Sequence, residues 1–174
     1  MHLSLSILED LYTMETVTTR SLPRIDAHLG KFSQACVVVL TGLAFLLNSP
    51  LIVLLTAIIM ALAALAPTAS PFKLVYQGLI LPLGLLRPRI VEDDPAPHRF
   101  AQGVGATFLI VSSLVLFLTH LTVLGWILDL IVFVLAGINF TVGFCAGCFV
   151  YYWLGRCGVL PRVRYESGFH WRGV

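Results

Sequence analysis

The sequence predicts an all-α integral membrane protein with four transmembrane helices, arranged as two helical hairpins with an interfacial helix between them. Of its 174 residues, 58% are hydrophobic and only 11% are charged, and the mean hydropathy is +0.93. A soluble domain carries roughly 25% charged residues, so a soluble enzyme and a disordered chain are excluded. A formal net charge of +2, thinly distributed, also excludes a nucleic-acid-binding protein.

Four apolar runs approach the roughly 20 residues that a helix needs to cross the hydrocarbon layer. They extend from about Phe32 to Leu47, from Leu51 to Ala66, from Ala101 to Leu118, and from about Leu121 to beyond Gly143. Very short turns at Asn48-Ser49-Pro50 and Thr119-His120 predict two antiparallel hairpins. Strand-like alternation is missing, so the spans are helices and not strands of a barrel.

The positions of the basic residues predict the orientation in the membrane. Neither hairpin turn contains Lys or Arg; the basic residues are Arg20, Arg24, Lys31, Lys73, Arg87, Arg89, Arg99, Arg156, Arg162, Arg164 and Arg172. The positive-inside rule then places both termini and the long middle loop in the cytoplasm of a bacterium, with the spans in its inner membrane. We expect a polar cytoplasmic tail over residues 1–30, a membrane domain over 31–154 and a basic cytoplasmic tail over 155–174.

An internal repeat with an offset of 68 residues relates the two hairpins. Residues 26–34 and 94–102 both read Asp, four residues, a base, Phe, a small residue and Gln. We therefore divide the domain into repeat one (26–66), an interfacial segment (72–86) and repeat two (94–154). Both repeats enter the membrane in the same direction, which implies a pseudo-two-fold axis along the membrane normal.

The repeated motif supplies several structural or binding candidates. Asp94 is expected to cap a helix, Arg99 to reach the lipid phosphates, and Phe100 to anchor the interface. Gln34 and Gln102 fall just inside the apolar layer, where an amide is costly unless it bonds to another helix. They are interpreted either as hydrogen-bonding residues between helices or as part of a binding site between the two repeats.

The most distinctive chemistry lies in a Cys-x-x-Cys pair, Cys145 and Cys148, near the predicted cytoplasmic end of the fourth span. Such a pair forms a disulfide, contributes half of a zinc site, or packs as two small apolar side chains. His98, Cys157 and His170 are the candidate additional zinc ligands, but they form no second tight pair, and no metal is predicted. We favour a helix break at Gly143 or Gly147, because two glycines within five residues do not suit a continuous span. A helix that restarts there would present free N–H groups that stabilise a thiolate.

Three further polar residues lie in or beside the fourth span. Asn139 precedes the cysteines by one to two turns, where it orients a ligand or bonds to a neighbouring helix. Asp129 is the single acid within a predicted span and is a functional candidate for that reason. His120, in the outer turn, is its candidate partner.

These motifs resemble a bacterial family of small membrane proteins catalogued as domain of unknown function 4395. The resemblance rests on the runs 94–102 and 143–151 and extends from about Ile25 to Trp153. It implies four spans and a paired-cysteine site at the cytoplasmic face, in the company of sulfurtransferase and thioredoxin-like proteins. In this chain His98 replaces a commonly apolar or proline residue, and Phe149 replaces a common acid.

The predicted function is thiol-redox or sulfur-handling chemistry at Cys145 and Cys148, with a quinone or a persulfide as the reacting molecule. One alternative is a non-catalytic accessory subunit of a larger membrane complex. A weaker alternative is a small transporter whose path is lined by Gln34, Gln102 and Asn139. The expected partners are the lipid bilayer and either a larger complex or a thioredoxin- or sulfurtransferase-like protein.

Overall fold

The computed structural model describes residues 24–84 and 88–160, and most of these residues are helical. The helices are α1 (Ala27–Leu46), α2 (Pro50–Leu65), α3 (Pro71–Val75), α4 (Pro95–Leu118), α5 (Thr122–Val142) and α6 (Ala146–Arg156), with a π-helical segment at Tyr76–Ile80. Two short strands, β1 (Arg24–Asp26) and β2 (Ile90–Glu92), complete the described elements. Most of the two predicted tails, residues 1–23 and 161–174, lies outside the described residues.

Three of these helices, α1, α4 and α5, are long and apolar enough to cross a membrane. Helix α2 is apolar but has only 16 residues, which correspond to about 24 Å at 1.5 Å per residue. A typical hydrocarbon core is about 30 Å thick. The length criterion therefore identifies three of the four predicted spans.

Two aspartates determine where the long helices of the predicted repeats begin. The Asp26 carboxylate accepts a hydrogen bond from the His28 N–H at 3.0 Å, and the Asp94 carboxylate accepts one from the Ala96 N–H at 2.9 Å. Both satisfy donors that a helix N-terminus leaves free. The expected cap at Asp94 is present, and α1 includes the last four residues, 27–30, of the predicted N-terminal tail.

The strand pair was not predicted from the sequence. The strands are antiparallel, with Arg24 opposite Glu92 and Asp26 opposite Ile90. Asp26 also accepts hydrogen bonds from the Arg89 N–H at 3.0 Å and from the Tyr76 hydroxyl at 2.9 Å. Burial, the hydrogen bond to Asp26 and the charge of Asp26 raise the pKa of Tyr76 to about 12. Asp26 thus connects α1, the strand pair and the interfacial segment.

The described helical part of the interfacial segment covers residues 71–80 and changes its helix type along its length; residues 85–86 of the predicted segment lie outside the described residues. Helix α3 passes directly into the π-helical segment, where the Leu81 N–H donates to the Tyr76 carbonyl at 3.0 Å. Pro82 lacks a backbone N–H, so it cannot continue this hydrogen-bond pattern. The chain then turns through Gly84, whose φ of 67° lies in the left-handed region. Helical structure consequently ends at Ile80, before this proline.

The bundle core forms where helices of the two predicted repeats pack against each other. Helix α2 packs along α4, α1 packs along α5, and α4 also contacts α5 and α6. The buried apolar cluster comprises Val37, Ala44, Val53, Ala57, Met60, Phe72, Ala106, Leu109, Val132 and Ala136. Small side chains predominate, which allows the close backbone approach typical of membrane helices.

Candidate functional site

The chain breaks between α5 and α6, directly before the cysteine pair. Helix α5 ends at Val142, and Gly143 follows in the left-handed conformation with φ of 75°. The Gly143 N–H still donates to the Asn139 carbonyl at 3.0 Å. Glycine adopts this conformation without the steric cost that other residues incur. The predicted helix break at Gly143 is confirmed.

The break places Cys145 at the N-cap of α6, where its Sγ accepts a hydrogen bond from the Cys148 N–H at 3.2 Å. Cys145 and Cys148 form a disulfide, with their Cα atoms 5.2 Å apart. Cys145 is 4% exposed, and Cys148 is partly buried. When the pair is reduced, the free N–H groups and dipole of the helix N-terminus favour a thiolate at Cys145.

A histidine from α4 lies beside the cysteine pair. The Nδ1 atom of His98 is 3.8 Å from the Cys148 Sγ, and its Nε2 atom is 3.5 Å from the Asp93 Oδ2. One nitrogen from His98 and the two sulfurs lie within 4.8 Å of one another. No motif in the sequence connects His98 with Cys148, which follows 50 positions later. The sequence therefore indicated His98 only as one of three candidate zinc ligands. Of the other two, Cys157 is an exposed free thiol and His170 lies outside the described residues.

A cavity of about 600 Å³ opens onto Cys145. Five of the predicted site residues line it: Gln34, Arg99, Gln102, Asn139 and Cys145. Three amide side chains from α1, α4 and α5 therefore surround one space. Asp94 and Phe100 do not line the cavity and have structural roles. Asp94 caps α4, and the ring centroid of Phe100 lies 5.4 Å from that of Tyr151.

Basic side chains outnumber acidic ones around this cavity. Arg24, Lys31, Lys73 and Arg99 line it, whereas Asp26 is the one acid among the described lining residues. The Asp26 carboxylate already accepts three hydrogen bonds, from His28, Arg89 and Tyr76. Arg24 is itself paired with the Glu92 carboxylate at 3.5 Å, and the other three basic side chains give the cavity an excess of positive charge.

A smaller cavity of about 100 Å³ adjoins the first and also reaches Cys145. The two share Gln34, Gln102 and Asn139, and the smaller one extends along apolar side chains that include Met60 and Phe108. The site thus combines polar groups close to the sulfur with an apolar extension between the helices.

Asp129 lies apart from this site, within α5. It is fully buried, and neither of its carboxylate oxygens has a hydrogen-bond partner among the described residues. Because Asp129 has no hydrogen-bond partner among the described residues, the suggested contact with His120 does not form; His120 is exposed.

Gly147 controls the distance between α6 and α4, and we predict that Gly147→Ala displaces α6. An added Cβ would lie 2.5 Å from the Cβ and 2.7 Å from the Cα of Ala101, and backbone atoms cannot yield as a flexible side chain can. Overpacking of this kind costs about 1–3 kcal/mol. We expect a lower Tm and a changed rate of alkylation at reduced Cys148, because His98 and Ala101 lie on the same helix.

Gly137→Ala is the matched control, because a Cβ at Gly137 meets nothing within 4 Å. That replacement should leave alkylation unchanged and should raise the Tm slightly, through a helix-propensity gain of up to about 1 kcal/mol. Equal behaviour of the two variants in thermal unfolding would contradict the close contact at Gly147.

Three helices long and apolar enough to cross a membrane, a helix break and a cysteine pair at a helix N-terminus characterise a multi-pass helical membrane protein with a paired-cysteine site. The chain belongs to the family described as domain of unknown function (DUF4395), whose model matches residues 25–156. This match confirms the resemblance seen in the two motifs. No curated protein and no solved structure matches the chain significantly.

Proposed function

We propose that this protein is a membrane thiol oxidoreductase in which Cys145 and Cys148 alternate between dithiol and disulfide. The observation that carries the proposal is the position of Cys145: it caps α6, is bonded to Cys148, and lines a cavity of about 600 Å³. Helix N-termini favour the thiolate that reacts. The cavity gives a small molecule access to a sulfur that is otherwise buried.

The proposed oxidant is a quinone. In this reaction the dithiol loses two electrons and two protons and forms the S–S bond, while the quinone takes up both electrons and both protons and becomes a quinol. The amides of Gln34, Gln102 and Asn139 suit the ring oxygens, and the adjoining apolar cavity suits the attached chain.

A persulfide is the second candidate substrate, favoured by the four basic side chains around the cavity. The Cys145 thiolate would attack the outer sulfur of a protonated persulfide, R–S–SH. A bond forms between the two sulfurs, the S–S bond of the donor breaks, Cys145 becomes a persulfide, and the donor leaves as the thiolate R–S⁻. This sulfur transfer consumes no external oxidant.

The proposal includes four spans related as two repeats, with α2 crossing a locally thinned bilayer. Two observations support the repeat. The strand register pairs Arg24 with Glu92, which are 68 positions apart, and Asp26 and Asp94, also 68 apart, both cap their helices through the N–H two residues later.

Aromatic contacts made by the first helix of each hairpin show a looser parallel between the repeats, because the phenylalanines are 68 positions apart but the tyrosines are 75 apart. Phe32 packs against Tyr76 at 5.6 Å, and Phe100 packs against Tyr151 at 5.4 Å. In both cases the first helix of the hairpin contacts a tyrosine from the segment that follows the hairpin. Both tyrosines are buried.

The proposed location is the bacterial inner membrane, with both termini and the mouth of the cavity at the cytoplasmic face. The basic side chains that line the cavity agree with the positive-inside rule. Accordingly, the cysteine pair would face a reducing compartment, where dithiols are regenerated.

Intact-mass measurement after alkylation tests the proposal. The full chain in detergent would carry Cys36→Ser and Cys157→Ser, which remove the two free cysteines. We expect two alkyl groups on the reduced protein and none after treatment with a soluble quinone. A persulfide donor should instead add one sulfur atom to the reduced protein.

Cys145→Ser in the same background is the control and should accept one alkyl group under both conditions. If neither a disulfide nor a persulfide forms in the unsubstituted pair, the oxidoreductase proposal is wrong. The accessory-subunit alternative then predicts a stoichiometric partner in native mass spectrometry from mild detergent.

A further inference from the structure

We propose that the reduced form of this site binds one Zn²⁺ ion through the Sγ atoms of Cys145 and Cys148 and the Nδ1 atom of His98. The inference uses the two sulfurs of the proposed function but requires only that they be thiols. It therefore does not depend on whether they cycle between redox states.

The spacing of the three donor atoms suits tetrahedral zinc. Zn–S bonds of about 2.3 Å and Zn–N bonds of about 2.0–2.1 Å place neighbouring ligand atoms roughly 3.4–3.8 Å apart. The Cys148 Sγ and the His98 Nδ1 are already 3.8 Å apart, and all three donors lie within 4.8 Å of one another. Opening the disulfide lets the sulfurs separate to the same spacing.

The surroundings of His98 match those of a metal-ligating histidine. Such a histidine usually directs its second ring nitrogen at a carboxylate, which orients the ring and increases its basicity. Here Nε2 is 3.5 Å from the Asp93 Oδ2. The other oxygen of that carboxylate accepts a hydrogen bond from the Asp94 N–H at 2.8 Å, so Asp93 is itself held in place.

Three protein ligands leave the fourth zinc position open. His98 and Cys145 both line the large cavity, so water or an anionic ligand from that cavity completes the tetrahedron. Thiolate and imidazole ligands favour zinc over Mg²⁺ or Ca²⁺. Binding displaces any proton that remains on the two sulfurs and occupies both of them. Zinc and the disulfide therefore exclude each other at this site.

Zinc titration of the full chain in detergent tests the inference, in the Cys36→Ser, Cys157→Ser background under a phosphine reductant. We expect one Zn²⁺ per chain, release of at least the Cys148 thiol proton measured by calorimetry in buffers of different ionisation enthalpy, and no binding to the oxidised protein. Co²⁺ should give the visible spectrum of a tetrahedral site with thiolate ligands.

Three variants separate a built site from adventitious binding. His98→Ala should weaken zinc binding by at least about 100-fold, and Asp93→Asn by about 10–100-fold. His120→Ala removes an exposed histidine and should change nothing. Thermal unfolding of the metal-free variants verifies that each one folds.

Affinity that is unchanged in His98→Ala, or a stoichiometry well below one in the reduced protein, would overturn the zinc site. If zinc fails to bind while the disulfide forms reversibly, the inference fails and the proposed function stands. If zinc binds but quinone never produces the disulfide, the proposed function fails and the metal site stands.

Discussion

Cys148→Ser is expected to form a stable mixed disulfide between Cys145 and a small disulfide probe. Cys145→Ser should form the corresponding adduct on Cys148 at least about tenfold more slowly. Bis(2-hydroxyethyl) disulfide is a suitable probe, added to the reduced full chain in the Cys36→Ser, Cys157→Ser background. The attacking thiolate forms an S–S bond to one half of the probe and releases the other half as a thiolate. Intact mass counts the attached halves.

The asymmetry follows from the position of each sulfur in α6. The Cys145 Sγ accepts a hydrogen bond from the backbone N–H of residue 148. This hydrogen bond remains when the Cys148 side chain is replaced. The thiolate at Cys145 is therefore stabilised in the variant as it is in the parent protein. Cys145 also lines both cavities, through which the probe arrives.

With both cysteines present, Cys148 should displace the attached half and close the disulfide, so that no adduct accumulates. Equal rates for the two single variants would contradict the assignment of Cys145 as the attacking sulfur. Adducts on neither variant would show that the cavity does not admit a disulfide of this size.

Local patterns in the sequence predicted the parts of this site that depend on neighbouring residues. Asp94 followed by proline indicated a helix start, and Gly143 indicated the break that creates the N-terminus of α6. Both features depend on backbone conformation within a few residues. The grouping of the proposed zinc ligands depends instead on contacts between distant parts of the chain.

The contact between His98 and Cys148 could not be predicted, because it depends on how α4 packs against α6. That packing requires a glycine at 147 facing Ala101, and a glycine in sequence does not name its partner. The strand pair is likewise a long-range contact, because Arg24 and Glu92 meet only after the first hairpin and the interfacial segment that follows it have folded. A repeat in a single sequence shows that two distant segments have the same local structure, as the 68-residue offset does for the caps at Asp26 and Asp94. It does not show which residues contact each other.

We predict that Asp129→Asn stabilises the protein, which is the second large effect expected. The burial of Asp129 also results from packing between helices and could not be predicted from the sequence. This carboxylate is fully buried within α5, and neither oxygen is hydrogen-bonded among the described residues. Burying an unpaired carboxylate lowers the stability of the folded protein in either protonation state. The ionised form loses the solvation of its charge, and the protonated form must hold a proton that it would release to water at neutral pH. An amide of the same shape avoids this cost, although it still lacks partners.

We therefore expect Asp129→Asn to raise the stability in detergent by on the order of 1 kcal/mol or more, which corresponds to about 2–4 °C in Tm per kcal/mol for a chain of this size. Asp26→Asn is the matched control, because three donors converge on the Asp26 carboxylate. The same replacement there should lower the Tm, since hydrogen bonds to a charged acceptor are stronger than those to a neutral one.

A Tm that falls in Asp129→Asn would mean that the buried carboxylate has a stabilising partner in the folded protein. A rise would identify Asp129 as a residue whose presence opposes stability, which is expected of a group retained for function.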